Sequence, residues 1–249
     1  MVKVKYNNFI ALIVVIVSFC LNACSLESSR QKIDSWHQLR ATGKASLDKQ
    51  DYAGAEKSFK DALSIAQQLN FQPVRQAVSL ADLSRVCLAT DNIALASNIS
   101  AQALGLANKR SQIPKKQSDQ FESELAQCLY NTAAVLAKAK KYDEAAIAYG
   151  EAKAIFIDLY KRSAVNASNL IIGFYLAQTI DNLGISYKEL GQLKRARQAY
   201  WTAGEDGVAQ AVPYFLKEKL VKDYCAIPDT DKLDKQKYAA ALGCTLPQT

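Results

Sequence analysis

The stretch NLGISYKELGQLKRARQAYWTAG, residues 182–204, decides how this chain folds. A first helix-compatible run ends at Leu190-Gly191, and a short polar turn closes with the apolar Leu193. Beyond the turn, Ala196, Tyr200 and Ala203 stand four and three residues apart and so share one helix face. Small Ala side chains on that face let a second helix approach closely, while Tyr200 fills the gap beyond. Two helices joined in this way cannot bury such a face alone, so hairpins of this kind must stack.

Three further segments carry the same pattern. QDYAGAEKSFKDAL places Tyr52, Ala55, Phe59 and Ala62. DNIALASNISAQAL places Ile93, Ala96, Ser100 and Ala103, and KYDEAAIAYGEAKAI places Tyr142, Ala145, Tyr149 and Ala152. Together the four segments resemble the tetratricopeptide repeat (TPR). The fourth unit matches best, with Asn182-Leu183-Gly184, Tyr187, Leu190-Gly191, Ala196, Tyr200 and Ala203; the first keeps Gly43, Tyr52, Ala55, Phe59 and Ala62. The third keeps Asn131 and Tyr142-Asp143-Glu144-Ala145, and the second is degenerate.

The resemblance implies an all-α fold, a right-handed solenoid of about four TPR-like hairpins over residues 35–205. Capping helices and a tail follow over 206–249. Val212, Phe215, Leu216 and Leu220 are spaced for one face of a helix over Val208–Val221. A tail helix is expected near Asp231–Leu242. The first shared Ala of each unit recurs at intervals of 41, 49 and 51 residues, against about 34 for the usual repeat. The extra residues are expected in longer helices and in loops such as SQIPKKQSD (111–119) and KRSAVNASN (161–169). The closing Pro of the usual repeat is missing, which keeps a divergent hairpin stack of another family as the alternative.

Composition agrees with helix. The 249 residues are 49% hydrophobic, with only ten Gly and five Pro, and Ala, Leu, Lys and Gln lose little entropy in a helix. The net charge is +7, but acids are interspersed with bases and no run resembles a nucleic-acid arm. One His, His37, argues against His-based metal sites and Ser–His or Cys–His catalysis. No Gly-rich phosphate loop, metal-ligand spacing or nucleophile elbow is present. No catalytic residue, metal or cofactor is therefore expected. The acidic pairs Asp143-Glu144 and Glu205-Asp206 fall in turns, where capping accounts for them.

The N-terminus bears on the compartment. Lys3 and Lys5 precede an apolar run from Phe9 to Leu21; as a helix it would span roughly 20 Å, short of a bilayer core. That is the layout of a signal peptide over residues 1–23. Leu21-Asn22-Ala23-Cys24 resembles a bacterial lipobox, with Asn22 the unusual member. The resemblance implies a lipidated (diacylglycerol and palmitate) Cys24, a tether over 24–34 and a membrane anchor. Ser25, rather than Asp, after the cysteine favours the periplasmic face of the outer membrane. Disulfides persist there. A bridge between Cys225 and Cys244 is expected to close the tail, while Cys87 and Cys128 lie inside helical patterns and stay open between bridge and core.

In the TPR family the first helix of each hairpin lines a groove that holds partner segments. Carried over by position, the groove here would present Arg40 and Lys44 from the first unit and Arg85 from the second. Tyr130, Asn131 and Lys138 would come from the third, and Asp181, Asn182 and Lys188 from the fourth. Such cations and amides suit the carboxylate of a peptide end or an acidic side chain. Trp36 reads as a packing residue, and Trp201, next to Tyr200, as packing on the terminal helix. The function implied is a membrane-anchored scaffold that binds envelope proteins or their peptide segments, for assembly of an envelope, secretion or pilus complex. A peptidoglycan-binding or -processing protein is the alternative, and a fixed structural subunit of a large complex is a third reading.

Overall fold

Four turns of identical construction set the architecture. Gln50, Asp91, Lys140 and Gly191 each adopt a left-handed backbone, with φ of 61°, 60°, 60° and 69°. The residue after each sends its N–H back five positions, from Asp51 to Ser46, Asn92 to Cys87, Lys141 to Leu136 and Gln192 to Tyr187, at 2.8–2.9 Å. This is the Schellman closure, which satisfies carbonyls that a helix end leaves unpaired. The next helix starts at once: the N–H groups of Ala55, Ala96, Ala145 and Ala196 each bond the carbonyl four residues back. Asp51 and Asn92 also cap their helices through Oδ1, accepting from Gly54 and Leu95 at 3.0 and 3.2 Å. The four Ala residues that define the sequence repeat thus mark the first turn of the second helix in every hairpin.

A computed structural model describes residues 28–69, 73–107, 119–162, 167–205 and 208–246. Among them all regular elements are helical. The helices are α1 (28–48), α2 (Tyr52–Gln68), α3 (Pro73–Ala89), α4 (Ile93–Ala107) and α5 (Asp119–Lys138). They continue with α6 (Tyr142–Arg162), α7 (Ala167–Glu189), α8 (Leu193–Trp201), α9 (Tyr214–Cys225) and α10 (Lys232–Ala241). The signal peptide, Cys24 and most of the two long loops lie outside the described residues. Part of the expected tether is helix instead, since α1 is already formed at residue 28; no Gly or Pro between 28 and 42 interrupts it. Some of the excess repeat length sits in the helices, as expected: α5, α6 and α7 run 20, 21 and 23 residues, against 17 and 15 for α2 and α4.

The chain divides into two compact units, Met1–Gln72 and Pro73–Thr249. In the first, Trp36, Ala55, Phe59, Ala62 and Ala66 are fully buried. A Cβ on Gly43 would lie 2.5 Å from Phe59 Cε1, so α1 is notched to receive the ring. Arg40 is only 8% exposed and lays its guanidinium 4.6 Å from the centre of the Trp36 ring.

In the second unit α3 packs on α4 and α5, α5 on α6, α6 on α7 and α7 on α8. The core between α5, α6, α7 and α8 gathers Ala133, Leu136, Ala145, Ala148, Tyr149, Leu183 and Ala199. Gly184 is notched for Tyr200 as Gly43 is for Phe59. Equivalent sequence positions in the other hairpins hold Ala133 with Tyr149 and Ser84 with Ser100, all buried.

The capping helix starts later than its apolar spacing suggests. Residues 208–212 form a turn and α9 begins after Pro213, whose ψ of 140° is extended; Pro also keeps the preceding residue out of the α region. The turn lies tight against α7, because a Cβ on Gly173 would meet the Ala211 carbonyl oxygen at 1.9 Å. The tail helix α10 is capped by Asp231, whose Oδ1 accepts from the Asp234 N–H at 2.7 Å. The Tyr224 and Tyr238 rings stand 4.2 Å apart, and the Trp201 indole N–H donates to the Tyr224 hydroxyl at 2.9 Å. Trp201 thus packs on the terminal helices, as expected. The bridge expected between Cys225 and Cys244 is not formed: both are free thiols. This aromatic cluster docks the tail without a crosslink, each buried ring contributing about 1.5–3 kcal/mol.

Candidate functional site

Three of the expected groove residues meet in the second unit, in a cleft of about 270 Å³ between α5, α7 and α9. Asp181 and Asn182 come from α7 and Tyr130 from α5. The Tyr130 hydroxyl donates to Gln178 Oε1 at 2.6 Å, and Asn182 Nδ2 stands 3.5 Å from the same hydroxyl. Burial, followed by the neighbouring Tyr175, raises the Tyr130 pKa, so the group stays a neutral donor.

Asp181 is 7% exposed and already engaged. It receives the Tyr200 hydroxyl at Oδ1 (3.0 Å), while Lys219 from α9 donates to its Oδ2. Burial lifts the Asp181 carboxyl above the ordinary carboxylate range, and the Lys219 contact opposes that rise without cancelling it. Lys219 also donates to Asp223 at 2.8 Å. Burial acts to lower its pKa, but the two carboxylates outweigh that and hold it above the ordinary lysine value. Asp181 and Lys219 therefore pair with each other in the cleft, beside the amides of Gln178 and Asn182 and the phenol of Tyr130, and half of the Lys219 side chain stays exposed.

The carboxylate-binding arrangement expected from the cations is not assembled among these groups. Arg40 lies against Trp36, and Arg85 stands 3.9 Å from Asp82 within α3. Asn131 and Lys188 are half-buried and Lys138 is exposed, but none of them lines the cleft. Lys44 belongs to the first unit, where it is half-buried on α1.

Gln178, Leu216, Lys219 and Leu220 also line the cleft and were not among the expected residues. Gln178 precedes Asn182 by one helical turn on the same face, which is the signal that finds it. The other three belong to a helix whose apolar spacing reads only as a cap. Outward along α7 and α9 the wall turns apolar. Phe174 and Phe215 approach to 6.4 Å, and Phe215, Tyr214, Leu170 and Ile171 are 58–70% exposed.

No protein-family model matches the sequence, and no curated protein is similar to it. Solved structures are similar in fold. A kinesin light chain-like protein of Podosopora anserina, built of nearly identical TPR-like repeats, aligns over 83% of this chain and 92% of its own, with a TM-score of 0.53 and 10% identity. BtubC (BKLC) of P. vanneervenii aligns over 90% of both chains, with a TM-score of 0.51 and 18% identity. The apo form of RapI gives 0.51 and 18%, over 84% of this chain and 51% of its own.

The fold is that of the TPR proteins. Long helices stretch the TPR period here, yet the hairpin turn and its Ala-lined second helix are kept. Among the described residues no cluster of His, Cys, Asp and Glu is placed to hold a metal, and no helix is long and apolar enough to cross a membrane.

Proposed function

We propose that this chain is a scaffold that holds an extended segment of another protein in the cleft between α5, α7 and α9. The observation that carries the reading is the neutral hydrogen-bonding set of Tyr130, Gln178 and Asn182, which lines the cleft beside the Asp181–Lys219 pair. Amides pair with a main chain whatever its sequence, and the exposed Phe215, beside the half-buried Phe174, gives an apolar side chain a place to settle. Peptide recognition here is main-chain directed rather than a clamp on a terminal carboxylate.

The lipobox-like Leu21-Asn22-Ala23-Cys24 supports placing the scaffold on a membrane through a lipidated Cys24, exported to the cell envelope. There it would gather components of an envelope, secretion or pilus complex. The test is crosslinking in intact cells expressing the tagged chain, followed by identification of what co-purifies. Discrete partners lost from Asn182→Ala with Gln178→Ala, and palmitate labelling lost from Cys24→Ser, are expected. Partners unchanged by the cleft variants would sink the cleft as the binding site, and unchanged labelling would sink the anchor.

A further inference from the structure

A second cleft, of about 520 Å³, opens in the same unit between α6, α7 and α8. Its floor is Gly150 in the middle of α6, where a Cβ would meet nothing within 4 Å. Glycine inside a helix costs about 1 kcal/mol relative to Ala. At Gly43, Gly173 and Gly184 a neighbour fills the space that a side chain would take; at Gly150 the space is left open.

Two cations border this opening. Lys153, one turn beyond Gly150, is half-buried and donates to the Thr202 hydroxyl at 3.3 Å, a neutral partner. Burial depresses its pKa, and Glu205, an exposed carboxylate at the rim, acts on it only electrostatically to oppose that fall. An ammonium withdrawn from water and met by a single hydroxyl is under-satisfied, and such a group favours an incoming anion. Arg195, from α8, spends one N–H on Gln192 at 2.9 Å and rests 5.7 Å from the centre of the Tyr187 ring, which leaves further donors. Ile157 and Leu183 supply an apolar wall beside the cations.

We propose that this cleft binds a carboxylate carried on a small apolar body, with Lys153 and Arg195 taking the charge and Ile157 and Leu183 the body. Two cations and one rim carboxylate leave a single net positive charge, which matches a monoanion better than the near-double charge of a phosphate. The volume lies within the range of small-ligand sites. The carboxylate has two possible sources, an acidic side chain within a polypeptide or a free organic acid. The site is separate from the peptide cleft, since no residue lines both.

The test is calorimetric titration of the full chain with two pairs of probes: the peptide Ac-Leu-Asp-Leu-NH2 against its Asn analogue, and 4-methylpentanoate against 4-methylpentanamide. At least one acid is expected to bind about tenfold or more tightly than its amide, the difference one charge-assisted contact makes. Binding by the peptide alone assigns the site to a polypeptide, and by the free acid alone to a small molecule. Lys153→Met should weaken binding about tenfold. Gly150→Leu should abolish it while the melting temperature holds or rises, because the new side chain enters open space and relieves the helix of a glycine. Acids that bind no better than their amides, or unaltered binding by Lys153→Met, overturn the proposal.

Discussion

A Cβ placed on Gly184 would lie 2.1 Å from Tyr200 Cε2, so the ring of α8 occupies the volume that any other residue would need on α7. The ring is buried, and its hydroxyl bond to Asp181, on the same helix as Gly184, ties it to α7. Gly184→Ala is expected to destabilise the chain by about 1–3 kcal/mol, as overpacking does. Tyr200→Leu alone should also destabilise, and the double variant should cost clearly less than the sum. Urea denaturation midpoints of the four proteins provide the cycle; strict additivity would show that the two residues do not press on each other.

The four hairpin turns make the opposite prediction for two equivalent residues. Lys140 and Gly191 share the left-handed conformation, at φ 60° and 69°, but only one of them is a glycine. Since left-handed backbone costs a side-chain-bearing residue about 1–2 kcal/mol, Lys140→Gly should stabilise and Gly191→Ala should destabilise. Each shift should be about 1 kcal/mol by thermal or chemical denaturation. A loss of stability in Lys140→Gly would mean that the lysine side chain matters more than its backbone.

Lys153 should make stability depend on pH at the alkaline end. Burial lowers its pKa in the folded chain, so between that value and the unfolded value of 10.5 the unfolded state binds more protons. Stability contributed through this group therefore rises with pH across that window, and its full cost is present below it. Lys153→Met should raise the melting temperature at neutral pH, and the gain should shrink as pH approaches 10.5. A gain that stays constant with pH would show that the effect comes from packing instead of charge.

Cys225 and Cys244 should be sluggish thiols. Burial raises both pKa values above the ordinary thiol range, and the nearby Lys235 and Lys217 respectively offset this only in part. Because the thiolate is the nucleophile, iodoacetamide at pH 7 should label both more slowly in the folded chain than in urea, with the rate climbing as the pH is raised. Equal rates in the two states would show that neither thiol is shielded.

How far the structure could be read from the sequence follows from what each residue interacts with. The four-then-three Ala spacing depends on one helix and its hairpin partner, so it locates α2, α4, α6 and α8 directly, even where Ser100 replaces the ring. Asp181, Asn182 and Tyr130 are legible through the TPR resemblance, which implies groove positions on the first helix of each hairpin. The fate of the cations was not legible. Arg40 turns onto Trp36 one helical turn away and Arg85 towards Asp82, and nothing in spacing alone separates a ring or a carboxylate from solvent. Lys219 reaches Asp181 across 38 positions of chain, a pairing that only the docking of α9 creates. The late start of α9 is legible in Pro213, which keeps the residue before it out of the α region although the apolar spacing runs on through it.

The ring-and-notch pairing is missing from one hairpin. Where Phe59, Tyr149 and Tyr200 stand in the others, α4 carries Ser100, whose buried hydroxyl has no hydrogen-bond partner, opposite Ser84 on α3. Where helices pack neighbour on neighbour, as in the second unit, cooperativity is limited by the weakest joint. Amide protons of α3 and α4 should therefore exchange with solvent ahead of those in α5 to α8. An opening event that starts there would part this joint while the α5–α8 core, with both clefts, stays folded. The chain would then yield in stages, and a pull or a competing partner could loosen one end without dismantling the surfaces that bind.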